Sequence, residues 1–447
     1  MRKDSAASLS GHYGYRRIVR AMTPMVLMML VTSIYSIVDG LFISNFAGSD
    51  AFAGMNLIWP AIAVVSALGL MIGSGGSALV SKTFGEGDPD KANGIFSMLV
   101  WVTLISGAIL AAVIFIFMPQ IVEMLGSDSV LKPYAVQYGR IVISILPFFM
   151  LQMAFQPFFM VAELPQLGTA MSLTSGIINI VLDALFVAGF RWGLTGAAIA
   201  TSLSLSAGGI IPMIFFASKR NGTQLKFKRC RMDWRSLVQS CTNGLSEFVG
   251  NIAFNIIGIC YNLQLMKYIG AAGVSAYGII MYLGFILCAV FIGYNMGISQ
   301  VIAFNFGAGN KAELRSLLHH SLVLIFIGGI VMTLAAEVFA PLIAKCFVSY
   351  DAALCELATH AMRIYMLSTL ICGFNLFTSA WFTALNNGIV SAVAAFVRTL
   401  VFELAAVFAL PAIIGIEGIW MSVNVAEILA LVLSLSLIFR FRKRYGY

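Results

Sequence analysis

Long apolar runs repeat along the whole chain, and each is bounded by charged residues, glycine or proline. A helix rises about 1.5 Å per residue, so about 20 apolar residues cross the hydrocarbon layer of a bilayer. Every run reaches that length and therefore predicts a transmembrane helix. The twelve runs are 17–44, 52–81, 93–118, 133–160, 167–190, 194–218, 236–266, 272–303, 316–344, 355–383, 389–412 and 418–439.

Composition removes the main alternative, a soluble globular protein. The 447 residues are 60% hydrophobic and 10% charged, with a mean hydropathy of +0.94, whereas soluble domains carry about 25% charged residues. The predicted helices use almost the whole length, which leaves no sizeable domain outside the membrane. The sequence contains no Walker A motif, and its Cys and His residues lack metal-binding spacing. We therefore predict an all-α membrane protein that is not an enzyme and has no cofactor.

The chain is basic, with 27 Lys and Arg against 19 Asp and Glu, but these residues do not indicate nucleic-acid binding. They fall at the ends of the apolar runs, where they act as topology signals and contact anionic lipids. If the N-terminus is cytoplasmic, twenty of them lie inside and Lys132, Arg191, Lys267 and Lys345 lie outside; the other three, Arg140, Arg363 and Arg398, fall within the apolar runs. The positive-inside rule thus predicts a plasma-membrane protein with both termini in the cytoplasm.

The two halves of the chain look like copies of each other. A shift of 222 residues superposes Gly75 on Gly297, Phe84-Gly85-x-Gly87 on Phe306-Gly307-x-Gly309, and Phe117-x-Pro119 on Phe339-x-Pro341. Six helices per copy give both copies the same orientation, so a pseudo-two-fold axis along the membrane normal should relate them. We expect two six-helix lobes around a central cavity, namely 1–218 and 236–447, joined by the basic linker 219–235.

Carboxylates within apolar runs are costly in a membrane and are candidates for function. Asp39, Asp183 and Thr201 lie at a similar depth by the helical rise, and Asn179 shares one helix face with Asp183. These four residues can therefore form one pocket. Two carboxylates in a poorly solvated site disfavour ionisation of both, so the pocket can load and release a proton.

Residue spacing leaves two other interpretations of this pocket open. Its oxygen atoms suit Na⁺ as well as H⁺, in which case Asp39 and Asp183 become metal ligands. Alternatively, Asp39 and Asp183 are hydrogen-bonded packing residues with no part in transport.

The second half contains a weaker candidate site, formed by Glu247, Arg398 and Glu403. Glu247 lies close to the predicted cytoplasmic boundary, whereas Arg398 and Glu403 share one apolar run. We favour a structural role in which Arg398 pairs with Glu403, Glu427 or Glu247.

Several of these elements together resemble the bacterial-type multidrug and toxic compound extrusion (MATE) family. They are Val38-Asp39-Gly40 near the outer end of the first run, Phe84-Gly85-x-Gly87 after the second, Asn179-x-x-x-Asp183 in the fifth, and Gly193-x-x-Gly196 opening the sixth. The resemblance covers about 16–444. It implies an antiporter that exports organic cations or amphipathic drugs in exchange for H⁺ or Na⁺ by alternating access. It also implies that Asp39, Asn179, Asp183 and Thr201 form the cation site.

Two other functions compete with the exporter. A flippase for a lipid-linked sugar precursor shares the two-lobe architecture, but it needs cationic residues to hold pyrophosphate, and mid-membrane arginine is limited to Arg398. A scaffolding protein would not need a buried acidic pocket. We expect a monomer whose partners are small amphipathic or cationic substrates and membrane lipids.

Overall fold

The computed structural model describes residues 7–46, 48–218, 221–349 and 351–447, and every regular element in these ranges is a helix. The elements are α1 Tyr15–Phe46, α2 Ser49–Gly85, α3 Pro89–Met124, α4 Leu131–Ser144, α5 Leu146–Val161, α6 Pro165–Asp183, π1 Ala184–Gly189, α7 Gly193–Ala217, α8 Trp234–Asn243, α9 Leu245–Tyr268, α10 Ala271–Gly307, α11 Lys311–Val348, α12 Ala352–Met366, α13 Thr369–Ala384, α14 Gly388–Phe396, π2 Val397–Glu403, α15 Leu404–Ile414 and α16 Ile416–Tyr445.

These helices confirm the predicted fold class. In the described ranges, ten helical segments are long and apolar enough to cross a membrane, and two bent pairs bring the number to twelve. We refer to α1–α7 as the N lobe and to α8–α16 as the C lobe. The predicted linker 219–235 begins with Lys219 and Arg220, which lie outside the described residues, as do Arg2 and Lys3 of the basic N-terminus.

Two of the predicted spans are bent rather than straight. α4 and α5 meet at 61°, and α12 and α13 meet at 45°. At the first bend, Pro147 follows directly and has no backbone N–H to continue the helical hydrogen bonds. At the second bend, the Ser368 hydroxyl donates to the carbonyl of Tyr365 (2.7 Å). The apolar pattern runs through both bends, so it predicted single spans there.

The internal repeat is visible in the helices themselves. α2 and α10 each contain 37 residues, and they begin and end 222 positions apart. Each is followed by a glycine with positive φ, 84° at Gly87 and 67° at Gly309, which reverses the chain into the next helix. Both lobes also carry a π-helical segment in the corresponding span, π1 and π2.

The segment between the lobes packs against the N lobe instead of forming a free linker. The backbone N–H of Lys226 donates to Asn93 Oδ1 of α3 (2.6 Å), and that of Lys228 donates to Ser97 Oγ (2.9 Å). Leu225, directly before them, is fully buried. The described part of this segment therefore lies along α3.

The lobes touch at one end of the molecule, which we call the terminal face because Tyr13 and Tyr447 lie there. One apolar core crosses both lobes at this face, whereas each lobe has a separate core at the opposite end. Ser81 of α2 donates to the carbonyl of Gln300 in α10 (2.6 Å) across the contact. The lobes thus contact each other at the terminal face, and from their separate cores we infer a cleft between them toward the opposite end.

Glycines allow the backbones of the two lobes to approach closely. A Cβ atom on Gly85 would lie 2.0 Å from the carbonyl oxygen of Phe304, and one on Gly307 would lie 2.0 Å from that of Lys82. Small residues at such crossings let membrane helices pack backbone to backbone. The repeated Phe-Gly-x-Gly element therefore shapes the contact between the lobes.

We predict that Gly85→Ala destabilises the protein by about 1–3 kcal/mol, because the added methyl group forces the lobes apart. The midpoint of thermal unfolding of the purified protein measures this effect. Gly94→Ala at the start of α3 is the matched control, because a Cβ there meets no atom within 4 Å. Equal midpoints for the two variants would contradict the close packing.

Candidate functional site

The four residues predicted to share a pocket do converge in the N lobe. α6 packs between α1 and α7, and it brings Asn179 and Asp183 beside Asp39 at the end of α1. The hydroxyl of Thr201 on α7 donates to Asp39 Oδ1 (3.3 Å). We call these four residues the acidic pocket; their roles in transport stay a prediction.

The acidic pocket has more acceptors than donors. Asp183 is fully buried, and neither of its carboxylate oxygens accepts a hydrogen bond from the residues that the structure describes. Asn179 Oδ1 is equally without a donor. A buried carboxylate is costly unless it is paired or hydrogen-bonded. Two neighbouring buried carboxyl groups therefore disfavour carrying two negative charges at once.

A change of helix type adjoins this pocket. Asp183 is the last residue of α6, and π1 begins at the next position. Short π-helical segments are rare and occur frequently at functional sites, since they shift the register of the side chains that follow. Asp183 thus lies where the span changes its helical pitch.

Sequence reasoning missed two tyrosines beside the acidic pocket. Tyr138 of α4 is fully buried and lies close to Thr201 and both carboxylates, but its hydroxyl makes no hydrogen bond in the described structure. Tyr35, one helical turn before Asp39, also lies near that carboxylate. The signal for Tyr138 is its spacing from Ala135 and Val142, which are both buried on the same face of α4.

The C lobe contains a buried ion pair, as expected for Arg398, and its partner is Glu427. The Arg398 guanidinium donates to Glu427 Oε1 through Nε (3.0 Å) and Nη2 (2.5 Å). Asn375 Nδ2 donates to the other carboxylate oxygen (2.6 Å), and Ser434 Oγ donates to Asn375 Oδ1 (2.8 Å). Glu427 is only 3% exposed. This network satisfies both carboxylate oxygens, which fits a structural role.

Glu403 and Glu247 do not join that pair. Glu403 ends π2 and lies near the stacked rings of Tyr261, Tyr277 and Tyr365. Glu247 lies in the first turn of α9, next to the contact between the lobes at Gly244. The structure therefore brings Glu403 close to the Arg398–Glu427 pair, whereas Glu247 has no charged neighbour among the described residues.

Glu427→Ala should destabilise the protein by about 3–5 kcal/mol, because it leaves the Arg398 charge buried without a partner. Thermal unfolding of the purified protein reports the loss, and the double variant Arg398→Met/Glu427→Leu should recover most of it. Glu417→Ala on the same helix is the control, because its pair with His360 is solvent-exposed. An equal loss in both single variants would argue against the network.

Sequence comparisons find relatives over nearly the whole chain. The multidrug export protein MepA of Staphylococcus haemolyticus is 25% identical over 430 residues, which cover 96% of this chain and 94% of that protein. MepA of Staphylococcus aureus strain MRSA252 is 24% identical with the same coverage.

Solved structures share the fold at lower identity. A crystal structure of MATE in complex with MaL6 superposes with a TM-score of 0.91, at 19% identity and 99% coverage of both chains. A MOP superfamily transporter from Pyrococcus furiosus also reaches 0.91, at 19% identity, with 100% of this chain and 99% of that chain covered. The outward-facing conformation of a multidrug resistance MATE family transporter gives 0.91 at 20% identity, with the same coverage.

The sequence model of the MatE family matches the chain twice, over residues 24–185 and 248–408. Each match lies in one lobe, as a duplicated chain requires. The two matches together span well over half of the chain, which confirms the resemblance seen in the sequence. The chain therefore belongs to the MatE family, and it is a membrane-integral transporter rather than an enzyme.

Proposed function

We propose that the protein is a secondary antiporter that exports organic cations or amphipathic drugs in exchange for H⁺ or Na⁺. The observation that carries the proposal is the acidic pocket, where Asp39 and Asp183 lie together and Asp183 accepts no hydrogen bond from the described residues. Such a pair binds a cation and releases it again when its surroundings change. The relatives named multidrug export proteins support drug-like substrates.

The proposed cycle alternates access to the cleft between the lobes. Both termini are cytoplasmic in this proposal, as the distribution of Lys and Arg predicts, so the closed terminal face is the cytoplasmic side. The cleft then faces outward, and a cation enters the acidic pocket from outside. Neutralising Asp39 and Asp183 removes their repulsion and lets α1 and α6 approach, which favours closure of the outer side. Substrate and cation therefore move in opposite directions through one cleft.

The second candidate function, a flippase for lipid-linked sugars, has less support. A pyrophosphate needs cationic side chains that face the cleft. Arg398 is the arginine that the sequence places in mid-membrane, and its guanidinium is bound to Glu427. The acidic pocket instead favours cationic or neutral amphipathic cargo. We propose further that the protein works as a monomer in the bacterial plasma membrane.

We expect Asp39→Asn and Asp183→Asn each to abolish export while the protein stays in the membrane. The reason is that one remaining carboxylate no longer forms the pair that binds the cation. The assay is efflux of a fluorescent organic cation from cells that lack their own pumps, under an imposed H⁺ or Na⁺ gradient. The gradient that drives efflux identifies the coupling ion.

Glu123→Gln is the matched control, since Glu123 is an exposed carboxylate that pairs with Lys132 away from the pocket. It should export at the wild-type rate. Wild-type rates in Asp39→Asn or Asp183→Asn would contradict the mechanism, and the absence of wild-type export under both gradients would contradict the proposed cargo.

Glu403→Gln should cause a milder loss of export than Asp39→Asn, because Glu403 lies in the other lobe, where Arg398 neutralises the neighbouring carboxylate of Glu427. The same efflux assay measures the ratio of the two rates. A loss as complete as that of Asp39→Asn would move the coupling site to the C lobe.

A further inference from the structure

The chain before α1 forms an ordered segment on the terminal face, which we call the strap and define as residues 7–14. Ala7, Leu9 and Tyr13 are buried almost completely. The Tyr13 hydroxyl donates to the carbonyl of Ser8 (2.5 Å), and Arg17 Nη2 donates to the same carbonyl (2.9 Å). Burial raises the pKa of the Tyr13 phenol, so its hydroxyl remains a donor. The strap is thus folded against the protein rather than extended into solvent.

One carboxylate of the N lobe holds the beginning of the strap. The backbone N–H of Leu9 donates to Glu163 Oε1 (2.9 Å), and the hydroxyl of Ser8 donates to the same oxygen (3.2 Å). Glu163 occupies the corner between α5 and α6 with φ of 61°, a conformation that few residues other than glycine adopt. The fold holds this carboxylate in place at some conformational cost.

A second carboxylate, from the C lobe, holds the end of the strap. The backbone N–H of Tyr13 donates to Glu313 Oε1 (2.7 Å), and His12 Nδ1 lies 2.9 Å from Glu313 Oε2. The ring of His320 on the same helix contacts the Tyr13 carbonyl (3.1 Å). Glu313 is only 6% exposed. The strap therefore bridges the two lobes through two carboxylates, across the contact that closes the terminal face.

The internal repeat indicates that these carboxylates serve the strap. A shift of 222 residues places Glu313 on Lys91, so the corresponding first turn of α3 carries the opposite charge. Glu163 corresponds to the corner at Asn386, which also has positive φ (55°) but no charge. Neither Glu313 nor Glu163 is needed for its local backbone conformation, because the other lobe forms the corresponding helix start and corner with Lys91 and Asn386.

We propose that the strap is a latch that holds the terminal face closed, with Glu313 as its catch and Glu163 as the residue that positions it. The proposal rests on the proposed function, because only a transporter with alternating access has to open this face. The strap is part of the N lobe through α1, so the face opens only when Tyr13 leaves Glu313. Glu163 then acts through the strap and not on the lobes directly.

Hydrogen–deuterium exchange of the full-length protein in lipid nanodiscs tests the latch without substrate or ion gradient. The peptides to follow are residues 71–85 of α2 and 293–307 of α10, which pack against the other lobe at the terminal face. Glu313 accepts a hydrogen bond from the Tyr13 N–H and pairs with His12. Removing both charge-assisted interactions should raise the fraction of molecules with an open terminal face about tenfold. Glu313→Ala should therefore speed exchange in both peptides about tenfold.

Two further variants distinguish a latch from local packing. Glu163→Ala should speed exchange in the same peptides by a smaller factor, and Glu163→Ala/Glu313→Ala should match Glu313→Ala alone, because a released strap has nothing left to position. Glu337→Ala is the control on the same helix, since Glu337 pairs with Arg363 inside the C lobe. It should leave both peptides at the wild-type rate.

Unchanged exchange in Glu313→Ala, or additive effects in the double variant, would overturn the latch. His12→Ala keeps the test available if Glu313→Ala does not fold, because the His12 side chain is 70% exposed and its loss removes one hydrogen-bond partner of Glu313. His12→Ala should increase the exchange rate of both peptides by a smaller factor than Glu313→Ala does. Unchanged exchange rates in His12→Ala would count against the latch. A failure of dye export in the wild type would remove the proposed function but would leave the exchange result unchanged.

Discussion

The structure depends on one electrostatic constraint, the placement of Asp39 and Asp183 side by side in the N lobe. Asp183 is fully buried and receives no hydrogen bond from the described residues, while Asp39 accepts one from the Thr201 hydroxyl (3.3 Å). Two negative charges in such a place repel strongly, since a low local dielectric hardly screens them. In the proposed mechanism a proton or a metal cation accompanies the pair, and its arrival or departure changes the net charge between α1 and α6. This change is what can link an ion gradient to a movement of helices.

In the proposed cycle, the duplicated architecture converts that local change into a switch between two states of the whole molecule. Each lobe has its own core away from the terminal face, and one shared core joins the lobes where the glycines of α2 and α10 meet the opposite backbones. Lobes with separate cores can rotate as bodies, and the shared contact is the part that must break. The Arg398–Glu427 pair, with both carboxylate oxygens bonded, joins π2 and α13 to α16 within the C lobe. The two lobes thus differ in their buried charges. The N lobe contains Asp183, whose carboxylate lacks hydrogen bonds from the described residues, and the C lobe contains the bonded Arg398–Glu427 pair.

Much of the fold and of the site could be predicted from the sequence, because a membrane requires long apolar spans and makes buried carboxylates within them costly. The apolar runs located the spans, and the 222-residue shift located the repeat, because α2 and α10 follow it without a gap. The acidic pocket followed from helical rise and from the spacing of Asn179 and Asp183. The bend between α12 and α13 and the segments π1 and π2 were not predicted, because apolar residues continue through them. Tyr138 was missed because a tyrosine in an apolar run carries no sign of what it faces. The strap was missed because polar residues before the first span look like a solvated tail, and only the fold brings Glu163 and Glu313 to it.

The central claim is that Asp39 and Asp183 share one exchangeable cation, and infrared difference spectroscopy of the reconstituted protein tests it most directly. In Na⁺-free buffer near neutral pH, the wild type should show the carbonyl band of a protonated carboxylic acid. That band should be missing in both Asp39→Asn and Asp183→Asn and present in Glu123→Gln. If Na⁺ is the coupling ion, adding it should remove the band from the wild type. A wild-type spectrum without this band in Na⁺-free buffer would mean that both carboxylates are ionised together, which would contradict the account.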